Sequence, residues 1–280
     1  MENPENDRWW EKAPAYLLAY EDIDLLNRDE LRHVRLMLEY FKPELILKRN
    51  NVKSTIVVYG GTNILAREEA QERLKEARIK LEANPGNSQY KREVKRAKSI
   101  LEKSKYYDEA RRFSQIVSRA AQTPVSREYV IITGGGPGIM EAANRGAHDV
   151  NAVSIGLNIR LPREQYPNLY ITPEFCFRFH YFAIRKLHFM QRAKALVAFP
   201  GGYGTLDELF DALTLIQTNV VDPLPVILFG EKFWRNIINF EKLVDEGTVA
   251  PEDIDIFKYA ETAEQAWKII TDFYGEDNSA

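Results

Sequence analysis

Two glycine-rich segments have the composition of backbone phosphate sites. Residues 134–138 read GGGPG and residues 201–204 read GGYG, and each segment lies between an apolar run and a helical pattern. Glycine lets backbone amides approach an anion closely, and the N-terminus of the following helix adds partial positive charge. Either turn alone is a moderate signal, because tight turns from strand to helix also use glycine. Together the two turns predict a nucleotide-phosphate site.

Thr205 and Glu208 follow the second turn with a spacing that has two interpretations. The Thr205 hydroxyl is placed to cap the helix and to donate to a phosphate, and Glu208 comes three residues later. The spacing T-x-x-E is also a capping box, in which both side chains only satisfy the helix end.

Better-known nucleotide-binding motifs fit this sequence poorly. Ile139 stands where the dinucleotide fingerprint has its third glycine, and no P-loop sequence is present. The next apolar run ends at Asn158-Ile159-Arg160, without the acidic residue that binds a ribose diol. An NADP-dependent reductase that uses Arg160 is therefore disfavoured.

Short apolar runs that alternate with helical patterns must position these turns. The runs are nearly continuous in hydrophobicity, as strands buried on both faces are. They cover residues 54–59, 129–133, 153–159, 195–199 and 225–229, and the helical patterns cover 138–149, 182–194 and 205–218. The alternation predicts an α/β protein with a doubly wound, Rossmann-like and mostly parallel sheet. Both glycine turns should lie at its carboxyl edge, where such folds bind ligands.

Two segments lie outside this alternation. Residues 1–50 contain an amphipathic helix that Pro43 should end, with one apolar face formed by Leu31, Val34, Leu38 and Phe41. Residues 66–105 are dense in Glu, Lys and Arg, and NPGNS at 84–88 divides them, which predicts an inserted, exposed helical hairpin. A solvated charged surface is the simpler interpretation of this hairpin, and a binding arm is the alternative. We therefore expect an N-terminal helical extension over 1–50 and one Rossmann-like domain over 51–280 that carries the insertion at 66–105.

The composition is that of a globular protein without a strong charge bias. Its 280 residues are 45% hydrophobic and include 38 basic and 41 acidic side chains, a formal net charge of −3. This balance gives no reason to expect nucleic acid or a membrane as a partner. The one cysteine, Cys176, lies between two phenylalanines and should be a buried structural thiol. A single cysteine fits a reducing compartment, so we expect a cytoplasmic protein. The histidines lack the spacing of metal ligands, so we expect no metal, and we expect no cofactor.

PGGYGTLDE at 200–208 resembles the PGGxGTxxE motif of the LOG (Lonely Guy) proteins. These are cytokinin-type nucleoside 5′-monophosphate phosphoribohydrolases, long labelled lysine decarboxylases. GGGPGIMEAANRGA at 134–147 and the Arg185-Lys186 pair are also similar to that family, in the same order. The resemblance implies a Rossmann-like fold and a homodimer or larger homo-oligomer. It also implies hydrolysis of the N-glycosidic bond of AMP or an N6-substituted AMP, which gives free base and ribose 5-phosphate.

The same resemblance assigns roles to individual residues. Arg185 and Glu208 match the catalytic arginine and glutamate of the family. With a 5′-phosphate in the second turn, the resemblance implies that the Glu208 carboxylate stands near C1′ of the sugar, where it stabilises the cationic, oxocarbenium-like transition state of glycoside cleavage. The positions predicted to bind substrate or phosphate are Gly135, Gly136, Glu141, Lys186, Gly201, Gly202, Tyr203, Gly204 and Thr205. Two alternatives stay open: an Arg185–Glu208 salt bridge that only fastens two helices, and a non-catalytic sensor or carrier of a nucleotide or molybdenum cofactor. A carrier needs no carboxylate at C1′, which favours the enzyme.

Overall fold

The computed structural model describes residues 8, 10, 13–123, 126–162 and 166–276, and they form the predicted α/β fold. Seven parallel strands make one sheet. In chain order they are β1 Thr55–Tyr59, β2 Val130–Thr133, β3 Ser154–Ile159, β4 Cys176–Phe179, β5 Ala193–Ala198, β6 Val226–Phe229 and β7 Phe257–Ala260. The described α-helices are α1 Ile23–Asn27, α2 Arg32–Arg49, α3 Arg67–Ala83, α4 Ser88–Ala121, α5 Ile139–Asp149, α6 Phe182–Met190, α7 Tyr203–Gln217, α8 Glu231–Ile237, α9 Phe240–Asp245 and α10 Ala263–Glu276.

The strand order places a topological switch point at the centre of the sheet. That order is β4-β3-β2-β1-β5-β6-β7, so the chain builds outward from β1 in one direction and then returns to place β5 on the other side of β1. In open α/β sheets, ligands bind at such a point, in the crevice outside the carboxyl ends of the strands. Residues 200–204 begin directly after β5, so the second glycine turn lies at this crevice.

Both faces of the sheet are buried, as the near-continuous apolar runs predict. Alternate residues of β1 belong to two separate cores: Ile56 and Val58 pack on one face, Val57 and Tyr59 on the other. The first face is covered by α4, α5 and α10, and the second by α2, α6, α7, α8 and α9. Helices on both faces of a parallel sheet are the doubly wound arrangement that the alternation predicts.

Pro43 does not end the N-terminal helix, contrary to the sequence-based prediction. Helix α2 continues through Pro43 to Arg49. Proline removes one backbone hydrogen bond of a helix, but Pro43 and Leu47 are both buried. Packing of this last stretch against the sheet therefore outweighs the local break. The predicted apolar face divides, because Leu38 and Phe41 remain about half exposed.

The inserted hairpin is present, and its second helix is longer than the charge pattern indicated. Helices α3 and α4 pack on each other through a small apolar cluster of Leu74, Ala77 and Ala97. Helix α4 then continues without interruption to Ala121, and its C-terminal half packs on the sheet through Tyr107, Phe113 and other residues. One continuous helix thus joins the protein core to the charged hairpin.

The edge strand β4 was missed because its sequence reads as an aromatic stretch. Its side chains alternate between solvent and core, with Phe177 and Phe179 buried and Cys176 exposed. The prediction of a buried Cys176 is therefore wrong, since an edge strand turns every second residue outward. The predicted helix over 182–194 also stops earlier, at Met190, because β5 begins at Ala193.

Candidate functional site

A cleft of about 780 Å³ opens at the switch point between β1 and β5. Six parts of the chain form its walls, and such a cleft is the usual setting for a ligand in an open α/β sheet. They are the turn 59–64 after β1, the turn 200–205 with Asp207 and Glu208, Phe182 and Arg185 of α6, six residues of α4, and the single residues Met140 and Phe233. The cleft therefore brings the second glycine turn together with both predicted catalytic residues.

Helix α7 begins inside the second glycine turn and directs its N-terminus at the cleft. Its N-cap is Gly202, which has no side chain to accept the first amide groups. Thr205 lies in the first turn of the helix and not at its cap, so the capping box with Glu208 does not form. The first backbone amides of the helix thus lack a side-chain acceptor, and such groups bind anions.

Neither packing nor backbone conformation requires glycine at positions 202 and 204. A β-carbon added to either residue would meet no atom within 4 Å, and neither backbone is in the left-handed region. By contrast, a β-carbon at Gly201 would collide with the side chain of Thr205. Gly201 is therefore required by packing, whereas Gly202 and Gly204 leave the helix terminus open to a ligand.

Arg185 and Glu208 form an ion pair in the wall of the cleft. The Arg185 Nη1 donates to the Glu208 Oε1 over 2.7 Å, and its Nε donates to the Leu157 carbonyl of β3 over 2.7 Å. The guanidinium also lies over the ring of Phe189. The side chains of Arg185 and Glu208 are only 9% and 12% exposed. No described residue donates a hydrogen bond to the second oxygen, Oε2, of Glu208.

The environment of Glu208 favours its neutral form more than water does. Burial raises the pKa of the Glu208 carboxyl above its usual value, and the attraction of Arg185 only partly opposes this shift. A carboxylate with a raised pKa is a stronger base than an ordinary glutamate. Perturbed carboxyl groups in clefts are frequent at catalytic sites.

The first glycine turn packs beneath the cleft and does not line it. The Gly135 amide donates to the Thr133 hydroxyl, and the carbonyls of Gly135 and Gly136 accept from the side chain of Asn168. Glu141 accepts a hydrogen bond from the Tyr107 hydroxyl of α4 over 2.8 Å. These predicted binding residues are thus engaged by the protein itself.

Gly134 connects the first turn to the Arg185–Glu208 pair. A β-carbon at Gly134 would stand 2.5 Å from the Nη2 of Arg185 and 2.9 Å from the Sδ of Met140. The absence of a side chain at Gly134 therefore lets the guanidinium of Arg185 settle over the first turn. Lys186, the neighbour of Arg185, turns away from the cleft and donates to Asp207 over 2.7 Å.

The turn after β1 occupies the middle of the cleft, which its sequence did not indicate. The Gly61 amide donates to the Pro200 carbonyl of the second glycine turn, and the Gly61 carbonyl accepts from the Ile139 amide after the first. A β-carbon at Gly138 would collide with the Gly61 carbonyl. Close approach of three glycine-containing turns is what brings the strand ends together here.

The inserted hairpin supplies one wall of the cleft, so it is more than a solvated surface. The α4 residues that line the cleft are Arg92, Lys95, Arg96, Ser99, Ile100 and Lys103. Their spacing by three and four places them along one side of the helix. The basic residues and their helical spacing were visible in the sequence. The sequence did not indicate which side of the hairpin faces the strand ends.

The described residues contain neither a metal-binding cluster nor a helix that could span a membrane. No group of three or more His, Cys, Asp or Glu side chains is arranged to hold a metal ion. Within the same described ranges, no helix combines the length and apolar character needed to cross a membrane.

Comparison with known proteins identifies a matching protein family and several similar proteins. A family model described as "possible lysine decarboxylase" matches residues 140–270. The cytokinin riboside 5′-monophosphate phosphoribohydrolase LOG3 of Arabidopsis thaliana is 29% identical over 153 residues, which cover 53% of this chain and 70% of LOG3. The resemblance to the LOG family is confirmed.

Other LOG relatives match shorter segments. LOG1 of Arabidopsis thaliana is 32% identical over 90 residues, or 32% of this chain and 42% of LOG1. The probable phosphoribohydrolase LOGL5 of Oryza sativa subsp. japonica is 30% identical over 51% of this chain and 58% of its own length. These LOG matches leave a large part of the chain, and of the relatives, outside the aligned segments.

Among solved structures, a molybdenum cofactor carrier protein of Chlamydomonas reinhardtii covers 80% of this chain and 99% of its own. Its sequence identity is 17% and its TM-score 0.43. A likeness this weak says nothing about function.

Proposed function

We propose that this protein hydrolyses the N-glycosidic bond of nucleoside 5′-monophosphates, with AMP or an N6-substituted AMP as substrate. The observation that carries the proposal is the joint placement of the open α7 N-terminus and the Arg185–Glu208 pair in one cleft. The relatives, which are named phosphoribohydrolases of cytokinin riboside 5′-monophosphate, support the same reaction.

The 5′-phosphate binds at the start of α7. The amides there have no side-chain cap, and Gly202 and Gly204 leave space beside them. The Thr205 side chain lies against Gly201 in the same turn, where its hydroxyl adds a donor. A phosphate at this point receives amide hydrogen bonds and the favourable end of the helix dipole.

Glu208 acts on the sugar one helical turn beyond the phosphate. In the reaction the bond from C1′ to the base nitrogen breaks, the oxygen of water bonds to C1′, and the protons of water pass to the base and to the new hydroxyl. Positive charge develops on the sugar as the bond breaks, and the Glu208 carboxylate stabilises it. The same carboxylate orients or deprotonates the attacking water through Oε2, which no described residue engages.

Arg185 positions the Glu208 carboxylate. Two of its donors are committed to the Leu157 carbonyl and to Oε1 of Glu208, so the carboxylate is held in one orientation. A planar guanidinium suits such directed contacts better than a lysine would. A purely structural salt bridge between α6 and α7 would give the same ion pair. Measured turnover distinguishes the two interpretations, because only the catalytic one predicts hydrolysis.

A panel of nucleoside 5′-monophosphates tests the reaction and its base preference. Purified protein is incubated with each nucleotide, and free base and ribose 5-phosphate are quantified. We expect equal amounts of both products from AMP or an N6-substituted AMP. Binding across the whole panel without release of base would favour the alternative, a non-catalytic carrier of a nucleotide or molybdenum cofactor.

We also propose that the protein is a homo-oligomer, as the LOG resemblance implies. Helix α2 presents apolar side chains to solvent, and Met37, Leu38, Phe41 and Leu45 are each between 48% and 58% exposed. Apolar side chains grouped on one helix commonly mark an interface between subunits.

A further inference from the structure

The cleft contains more positive charge than one phosphate group requires. Arg92, Lys95, Arg96 and Lys103 of α4 all line it. We call these four residues the basic row. No residue of the basic row forms an ion pair within the described part of the chain. Lys103 Nζ donates to the hydroxyl of Ser99 over 2.6 Å and to the Ser99 carbonyl over 3.4 Å, both within α4.

The catalytic side of the cleft is already neutral by itself. Arg185 is paired with Glu208, and Lys186 is paired with Asp207. The basic row is therefore the uncompensated charge of the cleft. A phosphate monoester carries a charge of about −1.5 to −2 at pH 7, which is roughly half of what the row would balance.

The row is also longer than a single phosphate group. Arg92 and Lys103 are eleven positions apart, which is about 16 Å along a helix axis. A phosphate bound at the start of α7, as proposed above, would have its own donors in the backbone amides there. Much of the row is thus left for a second anionic group.

The packing of α4 directs the row at the cleft. Val94, Ala97 and Leu101, on the opposite side of α4, pack against α3, and the C-terminal half of α4 is fixed on the sheet. Packing on both sides therefore turns this side of α4 toward the cleft, where Arg92, Lys95 and Arg96 are exposed to solvent.

We propose that the basic row is a second anion-binding subsite, which binds a further phosphate on the same nucleotide whose first phosphate lies at the start of α7. This rests on the proposed function for the location of the first phosphate. The ligand class is a nucleotide with two phosphate groups, either a nucleoside 5′-diphosphate or a nucleoside 3′,5′-bisphosphate. The hairpin then sets the preference of the cleft among phosphorylated nucleosides.

Calorimetric titration with AMP, ADP and adenosine 3′,5′-bisphosphate tests the subsite. The full chain carries Glu208→Gln, so that turnover does not consume the ligand. The row variant adds Arg92→Gln, Lys95→Gln, Arg96→Gln and Lys103→Gln. The matched control adds Arg78→Gln, Lys80→Gln, Lys91→Gln and Lys98→Gln, which remove the same charge from parts of the hairpin outside the cleft.

We expect at least one two-phosphate ligand to bind at least about tenfold more tightly than AMP. This ratio should fall to about one in the row variant and persist in the control. The better of the two ligands identifies where the second phosphate is attached. Two results would overturn the proposal: neither ligand binds more tightly than AMP, or the row variant weakens all three equally. Because only binding is measured, a protein that hydrolyses nothing would refute the proposed function and still permit this test.

Discussion

At the residue scale, the site depends on its glycines as much as on its charged side chains. Gly134 allows Arg185 to lie over the first glycine turn, and Gly204 leaves the start of α7 open. Arg185 in turn holds the Glu208 carboxylate at 2.7 Å. Small changes at these positions should therefore alter turnover more than stability.

Replacing Gly134 by alanine should disturb catalysis through Arg185. The added methyl group would contact the Arg185 Nη2 and the Met140 Sδ, which are ends of flexible side chains, and the backbone at Gly134 is not left-handed. The fold should tolerate the change while the guanidinium moves. We expect kcat to fall by roughly tenfold to a hundredfold, because misplacement by about 1 Å has effects of that size.

Gly86→Ala is the matched control for this variant, since its β-carbon meets no atom within 4 Å in the hairpin turn. Thermal unfolding and steady-state kinetics are measured for both. An unchanged kcat in a folded Gly134→Ala protein would show that Arg185 does not position the catalytic group.

The raised pKa of Glu208 predicts the acid side of the pH profile. In the proposed reaction the ionised carboxylate is the active form, so kcat/KM should decline as the pH falls through the pKa of Glu208. Burial raises that pKa, and the decline should therefore begin at a higher pH than for a glutamate with the usual value of about 4.3. Rates are measured from pH 4 to 8 on protein shown to be folded at each pH. A profile without an acid limb over this range would contradict the role of Glu208 as the ionised group.

At the element scale, the start of α7 and the length of α4 give the cleft its character. Helix α7 supplies amides without a cap, and α4 carries the basic row outward from the core as one rigid helix. Neither feature needs a specialised catalytic residue. Both follow from where a helix begins and how far it continues.

Gly204→Ala should separate stability from ligand binding at the start of α7. Alanine has a better helix propensity than glycine, and its β-carbon meets no protein atom. The free energy of unfolding should rise slightly or stay unchanged, within about 1 kcal/mol. The methyl group would narrow the space beside the amides, so KM for AMP should rise by about tenfold or more.

Gly275→Ala in α10 is the matched helical control for Gly204→Ala, because it adds the same group in open space away from the cleft. Chemical unfolding and nucleotide titration are compared between the two variants. Equal affinity for AMP in both would contradict a phosphate at the start of α7.

Much of this architecture is predictable from the sequence because its signals are local. The five central strands are short apolar runs, and their two-sided burial leaves a pattern that helices do not share. The second glycine turn was predicted from its composition and position, and Glu208 from the family motif, and the structure places both at one cleft. The continuation of α2 through Pro43 and the exposure of Cys176 depend on packing and sheet position, which local patterns do not contain.

The same distinction explains the site residues that sequence missed. The turn after β1 enters the cleft because β1 and β5 are neighbours, and α4 faces the cleft because α3 packs on its other side. Both facts concern contacts between distant segments. Residues 135, 136 and 141 were predicted near the nucleotide, but a network around Asn168 and Tyr107 holds them beneath the cleft.

At the scale of the whole molecule, the fold combines a parallel, Rossmann-like sheet with elements that extend it. Helix α2 covers part of one face of the sheet, and α4 of the hairpin lines the cleft at the carboxyl ends of β1 and β5. Assembly and substrate preference are the properties that these additions should change.

Disrupting the exposed apolar side chains of α2 should dissociate the oligomer. Leu38→Lys with Phe41→Lys places charges where the proposed interface is apolar, and buried unpaired charges are strongly unfavourable. Light scattering after size exclusion should give a multiple of 32.4 kDa for the wild type and the monomer mass for this variant. Leu169→Lys, at a leucine that is 94% exposed, is the control and should leave the mass unchanged. A monomeric wild-type protein would contradict the assignment.

The most direct measurement of the central claim is the release of free base and ribose 5-phosphate from AMP by the wild type and by Glu208→Gln. An N6-substituted AMP is assayed in parallel, and nucleotide binding is titrated for both proteins. We predict equimolar products from the wild type, and a rate reduced by about 10²–10⁴-fold in a variant that still folds and binds the nucleotide. Full turnover by Glu208→Gln, or nucleotide binding by the wild type without any release of base, would contradict the account.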